Sequence, residues 1–117
     1  ALAHVGDAVY ELLVRTLLAE RGVATALQLH RETVARVKAP AQAKAAAVIL
    51  PHLTEAEHDV YRRGRNSHVN TVPHGSTPGQ YHAATAVEAV FGWLWLKGEH
   101  GRVRELFSHI TEELDAT

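Results

Sequence analysis

The sequence predicts an all-α protein. Ala is its most frequent residue, whereas β-branched clusters and hairpin dipeptides such as Asn-Gly are scarce, and this balance favours helices over strands. Apolar residues recur at spacings of three and four along much of the chain, which is the period of a helix with one buried face. The length of 117 residues suits one domain, and we expect residues 1–117 to form it from about six helices.

The first two helices are predicted from the spacing of their apolar residues. The first runs from Leu2 to a stop at Gly22, because Gly is preferred just past the end of a helix. The second runs from about residue 25 to residue 37. Three apolar side chains define one face of this second helix, namely Leu27, Val34 and Val37.

Capping and turn residues delimit the third and fourth helices. Pro40 suits the first turn of a third helix that ends near Leu50, since a proline in the first turn loses no hydrogen bond. Thr54 and Glu57 have the spacing of a capping box, in which each side chain accepts from the other residue's backbone. We therefore expect a fourth helix from this point to about Arg65.

A long polar loop separates these helices from the last two. Residues 66–79 are rich in Asn, Ser, Pro and Gly, and loops of this length in a small domain are usually functional or mobile. A fifth helix is predicted from about Gln80 to Lys97. It is apolar nearly all round, so it should lie at the centre of the fold. The sixth runs from about Gly101 to Leu114.

Composition excludes several classes of protein. Without Cys, the chain has no disulfide, thiolate metal site or Cys nucleophile, which fits a cytoplasmic location. No apolar run approaches the roughly 20 residues of a membrane span, so we expect no membrane partner. The chain has no Met, and the helical pattern is already present at Leu2. We therefore expect the first helix to begin upstream of residue 1.

A carboxylate interrupts the apolar pattern of the first helix. Asp7 lies between Val5 and Val9, next to Gly6, and both Asp and Gly are poor residues for the interior of a helix. Glu11 lies one turn further on, so the two carboxylates share a face. A solvated polar stripe and a functional acidic pair both explain this pattern.

A second carboxylate lies in the most apolar helix. Glu88 is flanked almost entirely by apolar residues, with Thr85 one turn before it, so it should be largely buried and needs a cation or hydrogen-bond donors. It could pair with an arginine, or it could bind a metal together with Asp7. Carboxylate oxygens suit Mg²⁺ or Mn²⁺ better than zinc. Paired carboxylates that hold such cations indicate phosphodiester hydrolysis.

Positive charge is concentrated in one part of a chain whose net charge is only -1. No Asp or Glu occurs from Val60 to Val87, a stretch that carries several Arg, His and amide side chains. Such a stretch is a candidate clamp for a nucleic-acid backbone, although arginines also suit the end of a helix dipole. The candidate nucleic-acid contacts are Arg62, Arg63, Arg65, Asn66, His68 and Thr71.

A different metal site is a competing hypothesis. All-helical phosphohydrolases of the HD superfamily bind metal through a His, a His-Asp pair and a distant Asp. The corresponding residues here would be His30, His58, Asp59 and Asp115. His58 and Asp59 lie in a polar helix rather than in apolar surroundings, so this set is the less favoured of the two.

Four segments resemble one known family, and they occur in the family's order. Their sequences are GDAVYE at Gly6–Glu11, AQAK at Ala41–Lys44, RRGRN at Arg62–Asn66, and TAVEA at Thr85–Ala89 running into GWLWL at Gly92–Leu96. The first segment resembles the signature helix of the ribonuclease III catalytic domain. Tyr10, with Ala3 in place of an acidic residue, is similar to the Mini-ribonuclease III branch, which lacks the double-stranded-RNA-binding domain.

The resemblance implies a fold, an activity and partners. The family fold is an all-helical homodimeric endonuclease domain that cleaves double-stranded RNA with Mg²⁺. The bacterial branch matures the large-subunit (23S) ribosomal RNA precursor in the cytoplasm, where a ribosomal protein would be a helper. The alternative is a non-catalytic member of the family that binds structured RNA or ribosomal particles.

The resemblance also implies roles for individual residues. Asp7 and Glu88 match the family's catalytic, metal-binding carboxylates, and the RRGRN motif with the loop after it matches the RNA-contacting region. Thr85 stands where longer ribonuclease III enzymes carry an Asp, and Ala3 is also uncharged. This chain therefore keeps two of the four family carboxylates. Glu11 and Thr85 would be supporting residues.

Overall fold

Six α-helices make up most of the structure, a computed structural model that describes residues 1–67, 72 and 74–115. No strand occurs among these residues, so the all-α prediction is confirmed. Leu50–His52 form a 3-10 turn. The helices are α1 (Leu2–Glu20), α2 (Ala26–Val37), α3 (Ala39–Ile49), α4 (Glu55–Arg65), α5 (Pro78–Leu96) and α6 (His100–Leu114).

α5 is the central helix, as its nearly uniform apolar character predicts. It contacts α1, α3, α4 and α6, and it contributes Phe91, Val87 and Val90 to the fully buried core. None of the helices in the described part of the chain is long and apolar enough to span a membrane. The other large, fully buried side chains are Val14, Leu18, Ile49, Val103 and Leu106.

Glycines allow two neighbouring helices to approach α5 closely. A Cβ atom added to Gly6 of α1 would lie 1.6 Å from the Glu88 carbonyl oxygen, and one added to Gly92 of α5 would lie 2.0 Å from the Leu2 carbonyl oxygen. A Cβ atom added to Gly64 of α4 would lie 2.7 Å from the Cβ of Ala89. Gly6 is therefore present in the helix interior because the crossing of α1 and α5 leaves no space for a side chain.

α4 begins where its capping box predicts and is held by a buried ion pair. Glu57 is 3% exposed, and its Oε1 accepts from the Thr54 backbone N–H at 2.8 Å. Arg102 of α6 donates to both carboxylate oxygens of Glu57, at 2.8 and 2.9 Å, and to the His52 carbonyl. Burial alone would raise the pKa of Glu57, but the bonds from Arg102 and Thr54 lower it.

Two of the three apolar side chains predicted to share a face of α2 do not lie against the core. Leu27 is 58% exposed and Val34 45% exposed, whereas Leu29 and Val37 pack on the core and Thr33 is buried between them. These three core-facing residues are spaced by four, so they form a stripe along one side of the helix. The spacing of apolar residues predicted the wrong face because the middle residue of the buried stripe is Thr33, a polar residue.

Candidate functional site

The two candidate carboxylates meet where α1 crosses α5. The crossing brings the Gly6 backbone against the backbone of Glu88, and Asp7 is the next residue of α1. The Asp7 and Glu88 carboxyl groups are close enough to share a hydrogen bond when one of them is protonated. Asp7 is exposed and Glu88 is half-buried, so the pair is accessible from solvent on the Asp7 side.

The surroundings of Glu88 disfavour its negative charge. Burial raises the pKa of Glu88 to about 7, and the adjacent Asp7 carboxylate contributes to the rise. The amide of Gln42, which donates a hydrogen bond to Glu88, opposes it. Two neighbouring carboxylates that are both ionised repel each other unless a cation lies between them. The pair therefore has the electrostatics of a cation site.

The donor set fits Mg²⁺ or Mn²⁺. Within the described part of the chain, no group of three or more His, Cys, Asp or Glu is arranged to hold a metal, so the candidate site offers two carboxylates, Asp7 and Glu88. Mg²⁺ is usually bound through one or two carboxylates and keeps water or substrate phosphate oxygens in its other positions. A structural zinc or calcium site would need more protein ligands.

Gln42 is a part of this site that the sequence analysis did not identify. It is only 2% exposed, and its Nε2 donates to Glu88 Oε2 at 3.2 Å and to the Val37 carbonyl oxygen at 2.9 Å. A signal was available, because residue 42 lies at helical spacing with the buried residues Ala45 and Ile49. A glutamine on the apolar face of an alanine-rich helix indicates a buried hydrogen-bond donor or acceptor.

Thr85 and Glu11 are near the pair but bond within their own helices. The Thr85 hydroxyl donates to the Tyr81 carbonyl oxygen at 3.0 Å, and Glu11 Oε2 forms an ion pair with Arg15 at 2.7 Å. Thr85 and Ala3 line the same cleft of about 280 Å³ between the start of α1 and the end of α4. The resemblance associates these two positions with further carboxylates. Here both carry uncharged side chains that line one cleft. The supporting roles of Glu11 and Thr85 stay predictions.

The basic motif lies against the turn of α5 that carries Glu88. Gly64, in the middle of the motif, packs on Ala86 and Ala89, which precede and follow Glu88 in the sequence. The three arginines of the motif are exposed. Asn66 is the C-cap residue of α4, and its backbone N–H donates to the carbonyl oxygen of Arg62. His68 and Thr71, the other two candidate RNA contacts, lie outside the described residues.

Asp59 partly neutralises the basic motif, and this role was not predicted from the sequence. Its Oδ1 pairs with Arg62 at 2.8 Å and its Oδ2 with Arg63 at 3.0 Å. Arg65 forms no ion pair with any other described residue. The spacing of one helical turn between Asp59 and the two arginines was the available signal. The two pairs are exposed, so their charges remain accessible to an anionic partner.

A cleft of about 460 Å³ opens beside Glu88. The residues that line it include Gln42, Thr85 and Glu88, and also the basic residues Lys38 and His74. A phosphodiester lying in this cleft would have the ammonium group of Lys38 and the carboxylate of Glu88 in the surrounding wall.

The alternative set of His30, His58, Asp59 and Asp115 does not form a metal site. All four residues are described, and no cluster of three potential ligands occurs among the described residues. Asp59 is paired with two arginines, and Asp115 Oδ2 accepts from Arg36 Nε at 3.1 Å. The HD-type hypothesis is wrong because its two acidic residues instead form ion pairs with arginines.

Comparison with known proteins identifies similar sequences and a similar structure. Residues 1–99 match the family model described as the ribonuclease III domain. The chain is 44% identical over 105 residues to Mini-ribonuclease 3 of Symbiobacterium thermophilum, covering 90% of this chain and 81% of the relative. It is 52% identical over 98 residues to Mini-ribonuclease 3 of Gloeobacter violaceus, covering 82% and 70%.

The fold has a counterpart among solved structures. The crystal structure of a Fusobacterium nucleatum protein superimposes with a TM-score of 0.87 at 28% sequence identity. The match covers 95% of this chain and 90% of that one. The six-helix arrangement around α5 is therefore found in an experimentally determined structure.

Proposed function

Because the chain belongs to the ribonuclease III family, as a relative of the Mini-ribonuclease 3 proteins, it is an endoribonuclease, and we propose that it hydrolyses double-stranded RNA with Mg²⁺ held by Asp7 and Glu88. The observation that carries this proposal is the crossing of α1 and α5, which puts the Gly6 backbone against that of Glu88 and the Asp7 carboxyl group beside that of Glu88. Mn²⁺ would fit the same oxygen ligands.

The two carboxylates have different surroundings and different tasks. Glu88 is half-buried and hydrogen-bonded to Gln42, so it is a fixed ligand. Asp7 is exposed and reaches the side from which RNA would approach. When bound, Mg²⁺ supplies positive charge that stabilises the phosphodiester during hydrolysis. The protein's part is to hold the cation and to orient the RNA backbone against it.

The basic motif orients the RNA in this proposal. Arg62, Arg63 and Arg65 are exposed on the helix end that packs beside Glu88, where they would contact phosphates together with Asn66. We propose the same role for His68 and Thr71, in the loop that follows. Duplex RNA is recognised mainly by shape, phosphates and 2′-hydroxyls, so no residues that read bases are required.

A homodimer would place two such sites on one duplex, so that each site cuts one strand. The single chain leaves apolar surface that a partner copy would cover, since Leu96 at the end of α5 is 62% exposed and the adjacent Trp93 is only partly buried. By family resemblance, we propose that residues 1–117 act as one catalytic domain in the cytoplasm, on the 23S ribosomal RNA precursor, with a ribosomal protein as helper.

The test is cleavage of a labelled RNA duplex, with single-stranded RNA of the same sequence as a control substrate. We expect Mg²⁺-dependent cleavage of the duplex, and Asp7→Asn should slow it by about 10³-fold, which corresponds to about 4 kcal/mol. Binding of the duplex should persist in that variant. Glu20→Gln is the matched control, because it removes an exposed carboxylate of the same helix far from the pair.

Two outcomes would contradict the proposal. If the unaltered protein bound the duplex but did not cut it in Mg²⁺ or Mn²⁺, the chain would be a non-catalytic RNA-binding module. If Asp7→Asn cut as fast as the unaltered protein, the reaction would not depend on the carboxylate pair.

A further inference from the structure

We propose that Gln42 is a positioning residue for the metal site: its side-chain amide fixes the Glu88 carboxylate in the orientation that, with Asp7, receives the cation. This inference rests on the proposed function, because it assumes that Asp7 and Glu88 are the ligands. It assigns a role to one residue of the AQAK segment for which the resemblance supplied only a sequence match.

The geometry defines which end of the amide faces Glu88. The Nε2 atom lies 3.2 Å from Glu88 Oε2 and 2.9 Å from the Val37 carbonyl oxygen. Both neighbours are acceptors, and only the nitrogen of a carboxamide can donate, with one hydrogen for each. A flipped amide, or a glutamate at residue 42, would place three oxygens together. The site therefore requires a side chain with two donors at this position.

The second hydrogen bond makes Gln42 a rigid support. The Val37 carbonyl belongs to the last residue of α2, so the amide is anchored to backbone rather than to another mobile side chain. The aliphatic part of Gln42 lies on the buried face of α3, which also carries Ala45 and Ile49. Glu88 is thereby held in place before any cation arrives, and preorganisation of this kind increases affinity by reducing the entropy lost on binding.

Packing alone does not explain the choice of residue, and the bond to the Val37 carbonyl uses only one of the two donors. Gln42 Oε1 is buried and has no hydrogen-bond partner within the described part of the chain. A buried polar atom without a partner lowers stability, so an apolar side chain of similar size would serve packing alone better. The polar residue occurs where its nitrogen contacts a candidate ligand. Hydrogen-bond donors behind a ligating carboxylate usually change metal affinity by 10- to 100-fold.

The test compares Gln42→Met, which keeps length and volume but removes both donors, with Gln28→Met as the matched control. Gln28 is an exposed glutamine of α2 that bonds only locally, to Thr25. In Gln42→Met we expect Mn²⁺ binding to the RNA-free protein, measured by calorimetry, to weaken about tenfold. The Mg²⁺ concentration for half-maximal cleavage should rise by the same factor, while KM for RNA stays unchanged and saturating Mg²⁺ restores most of kcat.

A second measurement uses the unaltered protein and so does not depend on the folding of a variant. The side-chain amide resonances of Gln42 in an NMR spectrum should be protected from hydrogen exchange and should shift when Mg²⁺ is added. Those of Gln28 should do neither. An unprotected Gln42 amide, or one that does not respond to Mg²⁺, overturns the proposal.

The results separate this inference from the function on which it rests. If Asp7→Asn loses Mn²⁺ binding and Gln42→Met does not, the positioning role is wrong and the metal site stands. If Asp7→Asn binds Mn²⁺ as tightly as the unaltered protein, the metal site itself is wrong, and the positioning role falls with it. Weakened binding in both variants, with an unchanged KM for RNA, supports both.

Discussion

The backbones of Gly6 and Glu88 are in direct contact, so that a Cβ atom on residue 6 would lie 1.6 Å from the Glu88 carbonyl oxygen. Gly6, which permits the helix crossing, thus directly precedes Asp7 in the sequence and contacts Glu88. It is adjacent to both candidate ligands. The distance between the two carboxylates depends on this contact, and any side chain at residue 6 would force α1 away from α5.

Gly6→Ala should therefore lower both stability and activity. We expect the free energy of unfolding to fall by about 3 kcal/mol or more, because the clash is with backbone and relief requires a helix shift. Gly101→Ala is the control, since an added Cβ there meets no atom within 4 Å and Ala is the better helix former by up to ~1 kcal/mol. Chemical denaturation measures both, and equal effects of the two variants would contradict the close crossing.

Glu88→Gln should stabilise the metal-free protein in a pH-dependent way. The pKa of Glu88 is about 7 in the folded state against 4.5 in the unfolded chain, so folding takes up a proton between these values. Stability contributed by this group is present below pH 4.5 and lost as the pH rises through 7. At ~1.4 kcal/mol per pKa unit, the full rise in the pKa of Glu88 sets an upper limit on the stability that the variant gains. Because Glu88 is partly accessible to solvent, which screens its charge, we expect a gain of about 1–2 kcal/mol at pH 8.

The measurement is urea unfolding of both proteins in the presence of a chelator, from pH 4.5 to pH 8. The difference in free energy of unfolding should grow across this range and then level off. A constant difference, or a variant that is less stable at pH 8, would show that the buried carboxylate is not destabilised by its surroundings. Glu20→Gln, at an exposed position near the end of α1, should show no such rise, because its carboxylate is not buried.

Divalent cations should stabilise the folded protein without RNA. A cation that binds only the folded state at one hundred times its dissociation constant adds about 2.7 kcal/mol, which raises Tm by several degrees in a chain of this size. Asp7→Asn and Glu88→Gln should abolish the shift caused by Mn²⁺. A thermal melt with and without Mn²⁺ is sufficient, and a shift that survives in both variants would place the cation elsewhere.

Asp59→Asn should increase affinity for duplex RNA, because it releases Arg62 and Arg63 from their ion pairs. In an Asp7→Asn background, in which cleavage is slow, we expect the dissociation constant to fall by about three- to tenfold. The salt dependence should become steeper, since each added phosphate contact changes the logarithmic slope by about 0.9 or less. Exposed pairs of this kind contribute little to stability, so Tm should hardly change.

Glu20→Gln is the control for net charge, because it removes the same charge from the far end of α1. Titrations at several salt concentrations compare the two variants. Equal affinities in the two would mean that the arginines do not contact RNA, or that Asp59 does not restrain them.

Local signals predicted most of the helices and missed one helix start. Thr54 and Glu57 marked the start of α4 because a capping box depends only on neighbouring residues. Thr77 and Gln80 form the same arrangement at the start of α5, yet the prediction placed this start later, because Pro78 and Gly79 resemble loop residues. Pro is in fact well suited to the first turn of a helix.

The site was predictable as far as it showed unexpected residues in regular helices. Asp7 and Glu88 stand out because a carboxylate is unfavourable where each occurs, and the resemblance then paired them. Gln42 and Asp59 carry weaker signals: Gln42 lies at helical spacing with the buried Ala45 and Ile49, and Asp59 lies one turn before two arginines. Their partners depend on how α3 crosses α5 and on side-chain conformations at the end of α4, which spacing in the sequence does not specify.

The central position of α5 has a consequence for the order of events during synthesis. Asp7 is near the beginning of the chain, and Glu88 reaches it only after α5 has docked against α1. Contacts of such long sequence separation form late, because closing the intervening loop loses chain entropy before the contact is gained. A nascent chain or a fragment that ends before residue 88 therefore contains the candidate RNA-contacting arginines without the complete carboxylate pair. Such a chain also lacks half of α5, the helix on which α1, α3 and α4 pack, so we expect neither a stable fold nor cleavage from it.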